Sequence, residues 1–184
     1  YLFFIILCPV GAYYKEGLNP VKIYVEDKYV RAVVGGIGDS KTSGNYAASL
    51  LAAEEAKKKG FTQVLWLDAI ERKYIEEVGT MNLMFRIDGT VVTSPLTGSI
   101  LPGVTREIVL DLCHELGIPT REAPIEAASL RDADELMLLG TTTEVMPVVQ
   151  VDEWSVRDGQ AGEITRLLQK LLRHRMENRK EEGM

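Results

Sequence analysis

Residues 35–46, GGIGDSKTSGNY, place a lysine and a threonine directly after a glycine-rich segment. Such a lysine could bind a phosphate, as in a nucleotide-binding P-loop, or it could react with a ligand held at close range. The P-loop pattern requires a glycine immediately before the lysine, so that backbone N–H groups can surround the phosphates. Ser40 occupies that position here, before Lys41. The segment therefore disfavours nucleotide binding, and Lys41 is either a reactive amine or an ordinary surface lysine between a strand and a helix.

Three turns combine backbone N–H groups with small or hydroxyl side chains and could bind an anion such as a phosphate. They are the glycine loop at 35–38, the Gly-Val-Thr segment at 103–105, and the Gly-Thr-Thr-Thr run at 140–143. The second lies where we expect a helix to begin, and the positive end of a helix dipole favours a bound phosphate. Each also has a plain structural explanation: a strand-to-helix connection, a helix start capped by threonine, and a turn of β-branched residues.

Two adjacent acids, Glu76 and Glu77, come just before an apolar strand. Neighbouring residues on a strand point to opposite faces, so we expect one of them to be solvated and the other to point inward. A buried glutamate needs a cationic or hydrogen-bonding partner, or it binds a proton. Glu77 is the acid of greater interest.

Helices and strands are intermixed along the chain. Asp88-Gly89, flanked by MNLMFRI and TVVTSPL, is a strong hairpin signal. A simple all-parallel doubly wound sheet is therefore disfavoured. The other predicted strands are the opening run YLFFIILCPV, VKIYV (21–25), YVRAVV (29–34), VLWL (64–67), ELMLL (135–139) and VMPVVQV (145–151).

Three helices are predicted from apolar spacing and from glycine or lysine at their ends. The first covers 45–60 and ends at Gly60. The second follows ILPG and ends at Gly117, and the third is the amphipathic tail. The apolar face of the second is expected to carry Ile108, Leu112 and Leu116, and that of the third Ile164, Leu168, Leu171 and Leu172.

Composition excludes several functional classes. The 184 residues suit one domain, or one domain with a small appendage, and 46% hydrophobic residues support an ordinary core. The net charge of 21 − 27 = −6 disfavours nucleic-acid binding. Cys8 and Cys113 both lie in apolar runs and are expected to be reduced core residues, and two histidines supply a zinc site poorly. The opening run lacks a basic leader and is too short to span a bilayer.

Four motifs, in order, closely resemble the branched-chain amino-acid aminotransferases, which are pyridoxal-phosphate enzymes of fold type IV. The motifs are GGIGDSKTSGNYAASL, QVLWLDAIERKYIEEVGTMNLMF, VTSPLTGSILPGVTR and GTTTEVMPV. The resemblance runs from the first residues to about Val151 and implies an α+β fold: a mixed, largely antiparallel pseudo-barrel with surrounding helices. Residues 1–184 would be the C-terminal large domain of such an enzyme, without its small N-terminal domain.

The resemblance also implies roles for individual residues. Lys41 would form the Schiff base with pyridoxal 5'-phosphate and later move the substrate proton, in a buried site that favours the uncharged amine. Glu77 would pair with the pyridine nitrogen. The remaining implied contacts are Tyr46 with the phenolic oxygen, Arg31 with the cofactor, Val104, Thr105 and Thr141 with the phosphate, and Thr80 and Thr142 with the substrate carboxylate.

The reaction implied is the exchange of the amino group of leucine, isoleucine or valine with 2-oxoglutarate. Thr142 and Glu144 are also reminiscent of the D-amino-acid aminotransferases, so that activity or a related lyase activity is an alternative. A third possibility is a fragment with no catalytic activity. The resemblance implies amino-acid and 2-oxo-acid substrates and a homodimer or larger oligomer. The charge and the lack of a long apolar run favour no nucleic-acid or membrane partner. The sequence features favour the cytoplasm.

Overall fold

The structure of the chain is a computed structural model that describes residues 2–9 and 20–182. Within these residues, three α-helices and one 3-10 helix accompany a single β-sheet. The helices are α1 (Ser43–Lys58), α2 (Val104–Glu115) and α3 (Glu163–Glu182), with the 3-10 helix at Ala127–Asp132. The strands are β1 (Val21–Glu26), β2 (Gln63–Leu67), β3 (Ile75–Val78), β4 (Met81–Ile87), β5 (Thr90–Thr93), β6 (Thr120–Glu122), β7 (Glu135–Gly140), β8 (Glu144–Val151) and β9 (Trp154–Ser155).

The sheet closes on itself. Its order is β3-β2-β1-β8-β7-β4-β5-β6, with β9 on β8, and a further pairing of β3 with β4 joins six of these strands into a ring. Strand β1 is parallel to β2 and β8, and β5 is parallel to β6, whereas the other pairings are antiparallel. The predicted mixed, largely antiparallel pseudo-barrel with surrounding helices is confirmed.

The hairpin predicted at Asp88-Gly89 joins β4 to β5. Both turn residues have positive φ, 48° for Asp88 and 76° for Gly89. Two consecutive positive φ values match the right-handed twist of the flanking strands, which explains why this dipeptide favours such turns.

The barrel interior and the outer helices form separate apolar clusters. Large side chains such as Leu65, Leu83 and Phe85 pack with other buried residues in the largest cluster. Helices α2 and α3 pack against the outside of β7 and β8, burying Leu168 and Leu172 as predicted for the tail.

The face of α2 differs from the expected one. Leu112 is buried and Ile108 is half-buried, but Leu116 is 42% exposed. Val109 and Cys113 complete the buried face, because the helix is rotated so that residues three and four apart meet the core. Burial raises the pKa of the Cys113 thiol to about 11, as expected for a reduced core cysteine.

Two predicted strands are wrong. Residues 2–9 form no regular secondary structure and their large apolar side chains are 65–89% exposed, with Cys8 exposed rather than in a core; Tyr1 and Val10 of that run lie outside the described residues. Residues 29–34 form a loop. The physical reason is the same: β2 and β8 occupy both edges of β1, so the closed ring offers no free edge beside it.

A buried glutamate at the start of β7 binds the first turn of α3. Glu135 is 3% exposed and accepts hydrogen bonds from the backbone N–H groups of Ile164 (3.1 Å) and Thr165 (2.8 Å) and from the Thr165 hydroxyl (2.7 Å). The side chain of Arg86 lies 3.6 Å from the same carboxylate. Since the first N–H groups of a helix lack partners within the helix, Glu135 supplies them from the neighbouring strand.

We expect Glu135→Ala to lower the free energy of unfolding by about 2 to 4 kcal/mol, because it leaves buried donors without acceptors. Urea denaturation followed by circular dichroism measures the change. Glu163→Ala, an exposed position in the same helical turn, is the matched control and should change stability by about 0.5 kcal/mol or less. Equal losses in the two variants would contradict this role of Glu135.

Candidate active site

A buried ion pair joins the loop after β1 to strand β3. The Nε atom of Arg31 lies 3.3 Å from Oε2 of Glu77, and the two side chains are only 6% and 4% exposed. The Arg31 guanidinium also donates hydrogen bonds to the carbonyl oxygens of Gly38 (3.3 Å) and Ser99. One arginine therefore connects the glycine loop, the segment before α2 and the acid singled out in the sequence.

The second carboxylate oxygen of Glu77 is held from the opposite side. Its Oε1 accepts hydrogen bonds from the Leu101 backbone N–H (2.8 Å) and from Asn82 Nδ2 (3.3 Å). Asn82 lies opposite Glu77 in the β3–β4 pairing and also donates to the Leu101 carbonyl (2.9 Å). Sequence reasoning missed Asn82, although a polar amide inside the apolar run 81–85 was a usable signal.

Burial controls the charge of Glu77. It raises the pKa of this carboxyl from 4.5 to about 7, against the opposing effects of Arg31, the Leu101 N–H and Lys41, and with a further upward effect from Glu76. A carboxyl in this state is stabilised in its ionised form by any additional cation or N–H donor that reaches it.

Four of the predicted site residues line one groove. Arg31, Tyr46, Glu77 and Thr80 meet there, with Tyr46 37% exposed and Thr80 exposed in the turn between β3 and β4. The other lining residues are Gly38, Ser40, Asn45, Ser49, Gly79 and Leu101.

Lys41 lies two residues before α1, and its side chain is exposed. The expectation of a buried, dry environment for this lysine is therefore wrong for this chain, because the described residues do not cover it. Its charge nevertheless acts on Glu77, where it favours the ionised carboxylate. The predicted catalytic role of Lys41 stays a prediction.

The backbone that presents Lys41 is fixed by two contacts. Asn45 donates from Nδ2 to the carbonyl oxygens of Ile37 (2.7 Å) and Ser40 (2.9 Å), which ties the glycine loop to α1. A Cβ at Gly38 would lie 2.4 Å from the Ser99 carbonyl oxygen, so glycine is required for this close approach. Asn45 was also missed by sequence reasoning.

The predicted phosphate seat at 103–105 is the N-terminus of α2. Gly103 is the N-cap and no side chain of the described residues caps the helix, so the alternative of a threonine cap is wrong. Val104 is 68% exposed and Thr105 is half-buried. A Cβ at Gly103 would lie 2.1 Å from Asn82 Oδ1, which places this helix end directly beside the amide that binds Glu77.

The threonine run forms the turn between β7 and β8. Thr141 and Thr142 are exposed, whereas Thr143 is buried and its hydroxyl has no hydrogen-bond partner among the described residues. Leu139, which comes two residues before Thr141, pairs with Asn82 across β7 and β4. The start of this turn therefore lies near Asn82. Neither Val104 and Thr105 nor Thr141 and Thr142 line the groove itself.

Both glutamates of β3 are buried, so the expectation that one would be solvated is wrong. Glu76 is 7% exposed and Glu77 3%. Strand β3 lies between β2 and β4, and its two glutamates point to opposite faces. Both carboxyls are nevertheless covered, because the segment 99–101 contacts each of them. Ser99 donates its hydroxyl to Glu76 Oε1 at 2.5 Å.

Residues 2–9 and 20–182 contain neither a metal-ligand cluster nor a membrane-spanning helix. No group of three or more histidine, cysteine, aspartate or glutamate side chains in residues 2–9 and 20–182 could hold a metal ion. No helix in the same residues has the length and apolar character needed to cross a bilayer.

Comparison with protein families decides the affiliation. Residues 24–151 match the family described as amino-transferase class IV. The chain belongs to the class IV aminotransferases. Members of this family depend on pyridoxal phosphate.

Relatives of known sequence span about twice the length of the chain. It is 51% identical to the branched-chain-amino-acid transaminase 1 of Bacillus subtilis over 179 residues, covering 91% of this chain and 50% of that protein. It is 47% identical to a probable branched-chain-amino-acid aminotransferase of Staphylococcus aureus, with the same coverage. The chain thus spans about half the length of the curated relatives it matches.

Solved structures of class IV aminotransferases share the fold. The branched-chain amino acid aminotransferase of Escherichia coli matches with a TM-score of 0.82 and 37% identity, over 89% of this chain and 54% of that one. The holo, pyridoxal-phosphate form of the Thermobaculum terrenum enzyme matches with a TM-score of 0.79 and 28% identity, over 86% and 51%.

The residues of this chain fit the family cofactor on their own geometry. Oε1 of Glu77 is hydrogen-bonded, whereas Oε2 lies 3.3 Å from the Arg31 Nε, and that Nε makes no hydrogen bond within the described residues. A buried acceptor in this state suits the N–H of a protonated pyridine ring. The uncapped end of α2 offers backbone N–H groups to a phosphate.

Glu77 makes the stability of the chain depend on pH. Because its folded pKa of about 7 exceeds the ordinary 4.5, its contribution is complete below about pH 4.5 and is lost as the pH rises to about 7. We expect the free energy of unfolding of the wild type to fall across this window by on the order of 1 to 3 kcal/mol more than that of Glu77→Gln.

Urea denaturation at intervals between pH 4.5 and 8 measures this difference between the two proteins. Groups that titrate in the same way in both proteins contribute equally and cancel in the difference. Glu54→Gln, on the exposed surface of α1, is the matched control and should run parallel to the wild type. Parallel curves for Glu77→Gln and the wild type would show that Glu77 has an ordinary pKa.

Proposed function

We propose that this chain is the cofactor-binding part of a branched-chain amino-acid aminotransferase that uses pyridoxal 5'-phosphate. The observation that carries the proposal is the buried Arg31–Glu77 pair that lines the groove, in a chain of the class IV family. The roles of individual residues rest on the motif resemblance together with the geometry described above.

Glu77 would hold the pyridine nitrogen of the cofactor in its protonated form, and Arg31 would fix the position of that carboxylate. The cofactor, when bound, supplies an electron sink for the carbanion left by loss of the substrate α-proton. Tyr46, from the first turn of α1, would donate a hydrogen bond to the phenolic oxygen.

Lys41 would carry the cofactor on its Nζ and afterwards move the proton at the substrate α-carbon. A primary amine performs both tasks only in its uncharged form. Since Lys41 is exposed here, full activity requires that something exclude water from the face of the groove on which it lies.

The two remaining turns would bind the anionic groups. Val104 and Thr105, at the N-terminus of α2, and Thr141, between β7 and β8, would bind the phosphate. Thr142 and Thr80, both exposed, would contact the substrate carboxylate. Asn82 links these places, because it contacts Glu77 and lies against Gly103.

The substrates we propose are leucine, isoleucine and valine, with 2-oxoglutarate as the amino-group acceptor. The alternative, a D-amino-acid aminotransferase or a related lyase, rests on Thr142 and Glu144. Glu144 accepts a 2.6 Å charged hydrogen bond from Arg173 of α3, which gives this acid a structural explanation. The cytoplasmic location and the homo-oligomer implied by the resemblance stay predictions.

The proposal predicts that the chain mixed with pyridoxal phosphate becomes covalently labelled at Lys41 after reduction with borohydride. Peptide mass mapping locates the label, and the absorption spectrum follows binding before reduction. Lys41→Arg should abolish the label, whereas Lys57→Arg, an exposed lysine of α1, should keep it. Labelling of the Lys41→Arg variant to the wild-type level, or a label on another lysine alone, would refute the assignment.

Amino-donor preference separates the two candidate activities. We expect L-leucine, with unreduced pyridoxal phosphate and 2-oxoglutarate, to produce glutamate and the matching 2-oxo acid, and D-alanine to produce neither. Coupled detection of glutamate measures this in the full-length protein that contains the chain. Turnover of D-alanine without turnover of L-leucine would favour the alternative.

A further inference from the structure

A second buried acid lies directly beside Glu77 and has no part in the proposed function. Glu76 is 7% exposed, and its Oε2 has no hydrogen-bond partner among the described residues. Buried charged groups are rare unless they are paired, so an unpartnered carboxylate oxygen needs an explanation.

Ser99 connects this acid to the Arg31–Glu77 pair. Its hydroxyl donates to Glu76 Oε1 at 2.5 Å, and its carbonyl oxygen accepts from the Arg31 guanidinium. Arg31 therefore stands between the two carboxyls, in an ion pair with Glu77 and joined to Glu76 through one intervening residue.

Two ionised carboxylates and one guanidinium would leave an excess negative charge in this buried cluster. Such a charge is costly in a low-dielectric environment, and the cost falls if one carboxyl binds a proton. Burial raises the pKa of Glu76, against the Ser99 hydrogen bond and the charge of Arg31, and Asp68 raises it further. The charge of Glu76 in turn raises the pKa of Glu77, whereas the charge of Lys41 lowers the pKa of Glu77.

We propose that Glu76 is a positioning residue that sets the charge of Glu77, because the buried cluster of the two carboxyls and Arg31 holds one shared proton, which either carboxyl can carry. A cation arriving at Glu77 would displace the shared proton toward Glu76 or to water. Glu76 lines an open cavity of about 320 Å³, which gives that proton a route to solvent. In terms of the proposed function, on which this step rests, the arriving cation is the protonated pyridine ring.

The sharing of a proton is measurable in the chain alone, without cofactor. Carbon-13 NMR of the glutamate side-chain carboxyls, assigned through their own side-chain protons, follows Glu76 and Glu77 between pH 4 and 10. In the wild type we expect both resonances to titrate in two coupled steps, each reporting the protonation of the other. In Glu76→Gln we expect Glu77 to titrate in one step, with a midpoint lowered by on the order of one pH unit.

Glu54→Gln, which removes an exposed glutamate of α1, is the control and should leave the Glu77 curve unchanged. Ser99→Ala provides a second variant that keeps both carboxyls. It withdraws the hydroxyl from Glu76, moves the shared proton toward Glu76 and should also lower the Glu77 midpoint. If Glu76→Gln does not fold, the wild-type curves and Ser99→Ala still decide the matter.

Single-step titration of both acids in the wild type, or a Glu77 midpoint that neither variant moves, would overturn the proposal. Failure of the cofactor to label Lys41 would refute the proposed function and leave the coupled titration standing. Conversely, independent titration of Glu76 and Glu77 would remove the positioning role of Glu76 without affecting cofactor binding.

Discussion

The ion pair between Arg31 and Glu77 is the interaction on which the site depends. Removing one partner of a buried pair leaves an uncompensated charge, at a typical cost of about 3 to 5 kcal/mol. The fold stabilises the pair with hydrogen bonds from three directions, although Arg31 Nε makes none within the described residues. The glycine loop and Ser99 supply carbonyl oxygens to the guanidinium, while Leu101 and Asn82 supply donors to the carboxylate.

Closure of the barrel makes this arrangement possible. Strand β3 pairs with β2 on one side and β4 on the other, so its backbone groups are paired within the sheet. All four of its residues are buried, so a polar side chain on it must find its partners within the protein. The same closure places Asn82 opposite Glu77 and beside Leu139, close to both candidate phosphate seats. The register of β4 against β3 and β7 thus positions Glu77 relative to the candidate anion-binding turns. A slip of one residue in this register would turn Asn82 to the other face of the sheet.

Local signals in the sequence predicted most of the elements. The Asp88-Gly89 turn, the three helices and the strands predicted at 64–67, 135–139 and 145–151 depend on backbone preference and apolar spacing, which neighbouring residues determine. The strand predicted at 29–34 failed because pairing edges are a property of the closed sheet. The prediction that one of Glu76 and Glu77 would be solvated failed for a similar reason. Strand alternation predicts that the two side chains point to opposite faces, but it does not predict what covers each face.

The site residues also divide into those that the sequence motifs indicate and those that only contacts across the fold reveal. Motif resemblance brought Arg31, Tyr46, Glu77 and Thr80 to attention, and they do line one groove. Asn82 and Ser99, which hold that groove together, make their contacts across the fold and have no spacing signal of their own. Arg31, Glu77 and their hydrogen-bond partners therefore form the charged interior of the site. Lys41 and the adjoining face of α1 are open to water. In the proposed function, such an interior would hold a bound ring and keep its nitrogen protonated, whereas an amine acts as a nucleophile only when water is excluded. These two proposed roles therefore have separate physical requirements.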